Sequence, residues 1–171
     1  VIIVTTLALM FIYGQYIDST PAEKTVENFY KAYFNQDYET VAEYLSVFWS
    51  VQFLPQYQNL SPRELIQRRP DIEKDIATIL GEIEKDITYP KELHIVINSK
   101  YTKEKENSAI VGYTFRENGE ASGIEIAILI KESGVYRIYE VLSASQADIE
   151  SITDENMNNL DANFKKLLEQ N

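Results

Sequence analysis

His94 is the only histidine of this chain, and no cysteine accompanies it. A metal centre needs several convergent ligands. A single histidine does not supply them, so His94 is read as a surface or structural residue. The lack of cysteine excludes disulfides, thiolate ligands and a cysteine nucleophile. Arg68-Arg69 is the only arginine doublet in an otherwise acidic chain and stands directly before Pro70. A helix-end charge pair accounts for it better than an anion contact. The twelve tyrosines are read as half-buried rings with wet hydroxyls. No cofactor and no metal are implied.

The charge balance narrows the function further. Lys and Arg number 16 against 27 Asp and Glu, a formal net charge of -11. Such a chain repels phosphate backbones, so nucleic-acid binding is set aside. A length of 171 residues with 44% hydrophobic and 25% charged residues suits one globular domain.

The elements are organised around residues 112–142, three alternating apolar runs joined by two tight turns. Asn118-Gly119 is a strong type I′ hairpin signal. With those two residues as the loop, Glu117 faces Glu120. An uninterrupted ladder then pairs Tyr113 with Ile124, Val111 with Ile126 and Ala109 with Ile128, all on one inner face. The second turn, Glu132-Ser133-Gly134, leaves two registers open. A three-residue loop puts Tyr136, Ile138, Glu140 and Leu142 beside the isoleucines. A two-residue loop puts Arg137, Tyr139 and Val141 there.

Helices flank this sheet. Thr20-Pro21-Ala22-Glu23 is a capping box with Pro at the first helical position, and Val26, Phe29, Tyr30, Tyr33 and Phe34 share one face behind it. That helix is expected to end near Asn35, with Asp37 capping the next. Ser61-Pro62-Arg63-Glu64 repeats the box before a short helix stopped by Pro70. A longer helix carries Ile72, Ile76, Ile79, Leu80, Ile83 and Ile87 as a stripe, closed by Tyr89-Pro90. Leu93, Ile95 and Ile97 open the sheet, and 102–107 reads as a charged hairpin tip. Thr153 caps a final helix with Met157, Leu160, Phe164, Leu167 and Leu168 on one face.

Residues 1–17 carry no charge and are mostly apolar, ending in Tyr13 and Tyr16. They fit the outer part of a membrane anchor or signal segment. A signal-peptide core or a buried helix are the rival readings. The next charge is Asp18, with no Lys/Arg cluster, which places the following domain outside the cytoplasm.

The order of helices and then a strand meander, with "TPAEKTVENFYKAYFNQDYETVAEYLS" and the late "YRIYE" of residues 136–140, resembles the nuclear transport factor 2-like (SnoaL-like, cystatin-like α+β) superfamily. The resemblance spans roughly residues 21–142. It implies an α+β fold with N-terminal helices packed in the concave face of a four-stranded curved antiparallel sheet, plus a C-terminal helix. The expected divisions are 1–17 as anchor, 18–145 as the domain and 146–171 as the C-terminal helix. A membrane span followed by such a domain is also similar to assembly factors of type IV secretion and conjugation machines.

In that family the sheet and helices can enclose a pocket. The resemblance makes Tyr30, Tyr33, Phe34, Tyr113, Tyr136 and Ile138 the pocket candidates. It offers Glu140 as a proton-transfer base, with a tyrosine as hydrogen-bond donor. The simpler reading of Glu140 is a carboxylate at a sheet end, solvated or paired with Arg116 or Lys131.

The second face of the sheet, carrying His94, Val96, Ile110, Thr114, Ala127 and Leu129, is too apolar to stand in water. Val96, Ile110, Ala127 and Leu129 are therefore interface candidates. The cover is the final helix, a second copy, or another membrane or secretion protein. The functional expectation is a membrane-anchored, extracytoplasmic, non-catalytic domain for protein association. The alternative is a small-molecule binder or isomerase/dehydratase-like enzyme using the pocket.

Overall fold

A computed structural model of the chain describes residues 19–170. The expected anchor segment, 1–17, lies outside the described residues. Capping chemistry sets the helix starts. Helix α1, Pro21–Phe34, begins at Thr20, whose hydroxyl accepts the Glu23 amide while Glu23 accepts the Thr20 amide. Asp37 caps α2, Tyr38–Tyr44, and Ser46 caps the one-turn α3, Val47–Ser50. Ser61 forms the second capping box, at α4, Pro62–Gln67.

Pro70 does not stop α4, as the sequence had suggested. The break falls at Arg68, and Pro70 sits in the first turn of α5, Arg69–Ile83. Its missing N–H costs nothing there, because the first helical amides have no internal partner. Helix α5 also ends earlier than Tyr89. Ile72 and Ile76 are buried, whereas Ile83 and Ile87 face water. Glu84 ends the helix because its carboxylate is drawn inward by three tyrosine hydroxyls, and the chain turns away.

The sheet is open and antiparallel, ordered β1-β3-β4-β5, with β1 His94–Ile97, β3 Ser108–Glu117, β4 Glu120–Glu132 and β5 Val135–Ala144. A fifth, two-residue strand, β2 Lys103–Glu104, pairs with β3 further along the edge that β1 uses. The first strand of the expected four is thus split by a 3-10 turn at Ser99–Tyr101. Tyr101 lies against Gly112 there, so closely that a Cβ on residue 112 would stand 2.7 Å from the Tyr101 Cβ.

The Asn118-Gly119 turn is as read: Glu117 opposes Glu120, and both turn residues have positive φ. The ladder beyond it is not. A bulge at Ser122-Gly123 inserts one extra residue into β4, so Tyr113 faces Glu125, Val111 faces Ala127 and Ala109 faces Leu129. Because side chains alternate along a strand, this one-residue shift exchanges the two faces. Ala127 and Leu129 are fully buried in the main core under the N-terminal helices, not on an outer surface. Ile126 occupies the opposite face with Ile110, and Ile124 and Ile128 pack there with them. The second turn is the two-residue form, Ser133-Gly134, both at positive φ, with Glu132 opposite Val135. A second bulge, at Tyr139, then brings Glu140 opposite Ile128 and Val141 opposite Ala127.

Helix α1 lies across β1, β3 and β5, with α2 packed on it and α5 packed on α2. Its N-terminus is tied to the β2 edge. The Ala22 amide donates to Glu104 and the Thr102 hydroxyl donates to the buried Glu23 carboxylate.

The outer face is covered from within the chain. After α6, Gln146–Glu150, helix α7, Asp154–Leu168, starts at Thr153 and returns over the sheet. It buries Met157 against the cluster of Tyr101, Ile110, Ile126 and Ile149. Phe164 packs against Tyr139 with the rings tilted and their centres 4.9 Å apart. Asp161 fastens the helix by accepting from the Asn107 amide at 2.7 Å and the Ser108 hydroxyl at 3.0 Å. Each apolar side chain so buried contributes about 1.5–3 kcal/mol. Val96, at the β1 edge, stays exposed.

Candidate functional site

The α1 stripe that fills the core also builds a cleft. Phe29, Tyr30 and Tyr33 recur at helical spacing and form one wall. Trp49 of α3 and Leu80 of α5 close the sides, and Phe115 with Ile138 gives the sheet wall. The cleft has a volume of about 530 Å³ and opens to solvent past Glu140 and Val141 at its rim. A small organic ligand occupies pockets of about 300–1,000 Å³. A larger depression of about 650 Å³ lies between α2 and α5. Charged and amide side chains line most of it, including Asp37, Glu43, Glu73 and Lys74, so it lacks apolar walls to hold a ligand.

The aromatic walls are rigidly interlocked. The rings of Phe29 and Tyr33 stack 5.7 Å apart, and Tyr30 meets Phe115 edge-on at 5.2 Å. At the base, the Tyr30 and Tyr113 hydroxyls share a hydrogen bond of 2.5 Å. Burial pushes the Tyr30 phenol up to about 12. Burial, with the Tyr30 hydroxyl beside it, drives Tyr113 still further upward. Both phenols are therefore neutral in any physiological setting. They can orient a polar group and cannot accept a proton as phenolates.

Behind the helix wall, the buried Glu84 carboxylate collects three tyrosines. Tyr89 donates at 2.7 Å, Tyr38 donates at 3.2 Å, and Tyr33 makes a short bond. Burial first, and then the Glu84 hydrogen bond, raise the Tyr33 phenol far above its ordinary range. The carboxylate is thereby fixed, and Tyr33 is held with its ring against the cleft.

The candidates from the sequence separate cleanly. Tyr30, Tyr33, Ile138 and Glu140 line the cleft, and Tyr113 supports it from below. Phe34 lies on the other side of α1, near His94 and Ile95. Tyr136 is remote: its hydroxyl donates to the Lys105 carbonyl at 2.8 Å, and the Lys131 ammonium sits over its ring at 4.4 Å. Glu140 is exposed at the rim, not sealed inside. His94 is exposed, with Nδ1 2.9 Å from the Glu92 carbonyl oxygen. Arg68 pairs with Asp71 on the surface, whereas Arg69 pairs with Glu73 and with the buried Glu132.

Trp49 and Phe115 were not singled out from the sequence, nor was Glu84, and Leu80 was read only as part of the helix stripe. Phe29 was legible through its helical spacing. The others converge from segments far apart in the chain, and no local pattern marks that. Among the described residues, no group of three or more His, Asp or Glu side chains is arranged to hold a metal ion. Comparison with protein-family models, curated proteins and solved structures finds no match to this chain.

Proposed function

We propose that this is a non-catalytic binding domain, membrane-anchored and extracytoplasmic, that receives a small organic ligand or an apolar side chain of a partner in the aromatic cleft. The observation that carries the reading is the cleft itself: preformed, walled by aromatic rings and open on one side. Its polar groups also suit holding more than reacting. The two base phenols stay protonated, and the one carboxylate on the lining, Glu140, stands in solvent at the rim. A general base works within hydrogen-bond reach of its substrate and with a tuned environment. An exposed rim carboxylate lacks that setting.

Anchorage is supported by the charge-free residues 1–17 and the absence of a basic cluster after them. Among the described residues, no helix is long and apolar enough to cross a membrane. Association through the outer sheet face loses its main motive, since α6 and α7 already cover that face. The cleft is the surface that remains for recognition, in keeping with the nuclear transport factor 2-like resemblance.

Trp49 is the single tryptophan of the chain and lines the cleft. Its fluorescence therefore reports occupancy. Titration with benzyl alcohol, a neutral aromatic probe, is expected to give a saturable change in Trp49 emission. A linear, non-saturating response would refute a preformed binding cleft.

A further inference from the structure

We infer that the ligand of this cleft is an organic cation, an ammonium or guanidinium group carried on an apolar or aromatic body. The inference rests on the binding reading above and adds the charge of what is bound. Two independent features of the site support it.

The first is the concentration of π-surface. Phe29, Tyr30, Tyr33, Trp49 and Phe115 contribute five aromatic rings to one cleft. The faces of such rings carry negative electrostatic potential and attract cations, with tryptophan the strongest. The second is the sign of the charge on the lining itself. The lining contains Glu140 and no Lys, Arg or His. Glu84 is bonded to the hydroxyl of the lining residue Tyr33. Glu125, on β4, stands directly opposite Tyr113 in the β3–β4 ladder. The Glu125 carboxylate is held toward the β5 edge by the Ser143 hydroxyl, at 2.9 Å and 3.1 Å.

A chain of net charge -11 adds an attractive field for cations at long range. An anionic ligand would meet the Glu140 carboxylate and no counter-charge on the lining. A neutral one would use the rings and leave the field unused. The cationic group fits at the mouth, between Glu140 and the Trp49 face. Its apolar body fits inward, against Leu80 and Ile138.

The test compares three probes that share a benzyl group and differ in charge: benzyltrimethylammonium, benzyl alcohol and phenylacetate, each titrated against the full chain with Trp49 emission as readout. The cation is expected to bind about tenfold more tightly than the alcohol, a size set by desolvated cation–π contacts, and phenylacetate most weakly. Raising the salt concentration should narrow that gap. Glu140→Gln, at an exposed position, should weaken the cation by roughly two- to fivefold more than it weakens benzyl alcohol. Equal affinity for cation and alcohol, or tighter binding of phenylacetate, would overturn the cation assignment while leaving the binding reading intact. Failure of all three probes to perturb Trp49 would overturn both.

Discussion

The Phe115 amide donates to the Ser122 hydroxyl at 3.1 Å. This side-chain bond fills a gap in the β3–β4 ladder, where one extra residue of β4 is accommodated. Everything beyond it is shifted by one position, so that Tyr113 stands opposite Glu125 and not opposite Ile124, while Phe115 faces the cleft. Ser122→Ala should cost about 0.5–1.5 kcal/mol, the usual worth of one such bond, read from urea unfolding. Deleting Ser122 should be far worse. It forces the isoleucines of β4 inward and Ala127 and Leu129 outward, and cooperative unfolding should be lost.

That bulge also marks the boundary of what the sequence discloses. The caps at Thr20, Asp37, Ser61 and Thr153 and the Asn118-Gly119 turn are local, because each is written in three or four neighbouring residues. The bulge has only Gly123 as a hint, and the alternating pattern of 124–130 reads equally well in either register. Ser133 adopts positive φ, where glycine or asparagine is the expected signal. The site was half legible. The α1 stripe gave Tyr30 and Tyr33, but Trp49 and Leu80 reach the cleft only through tertiary packing. Apart from Tyr89, which follows Glu84 closely, the buried acids Glu84 and Glu132 accept hydrogen bonds from hydroxyls 46 to 86 residues away, a separation that leaves no periodic trace.

Gly112 is required by the Tyr101 turn. Gly112→Ala brings two Cβ atoms to 2.7 Å and should destabilise the fold by about 1–3 kcal/mol. Tyr101→Ala keeps the offending Cβ, so it should not relieve the strain. Tyr101→Gly removes it. In a double-mutant cycle, the penalty of Gly112→Ala should therefore nearly vanish in the Tyr101→Gly background and persist in the Tyr101→Ala background.

Glu132 is an essential counter-charge. It is 1% exposed, pairs with Arg69 and accepts from the Ser46 hydroxyl at 2.6 Å. Glu132→Ala leaves Arg69 with Glu73 as its remaining counter-charge, takes the acceptor from the Ser46 hydroxyl, and should cost about 3 kcal/mol. Replacing both Arg69 and Glu132 with apolar residues should cost clearly less than Glu132→Ala alone. Guanidinium denaturation of the three variants measures the difference.

Alkali should unfold the domain through its buried phenols. Tyr30 has a folded-state value of about 12 against an ordinary value near 10. The unfolded chain therefore releases this proton first, and stability present below pH 10 is lost as pH rises toward 12. Two pH units correspond to about 3 kcal/mol for this one group. Denaturant midpoints at pH 9 and pH 11.5 should fall steeply for the wild type and less steeply for Tyr30→Phe.

The central claim, that the aromatic cleft between α1 and the sheet is where this domain binds, is tested most directly by intermolecular NOEs to bound benzyltrimethylammonium. The N-methyl protons should show contacts with the Trp49 and Tyr33 rings, and the benzyl protons with the Ile138 and Leu80 methyls. NOEs confined to residues outside the cleft, such as the exposed Ile83 and Ile87, would contradict it.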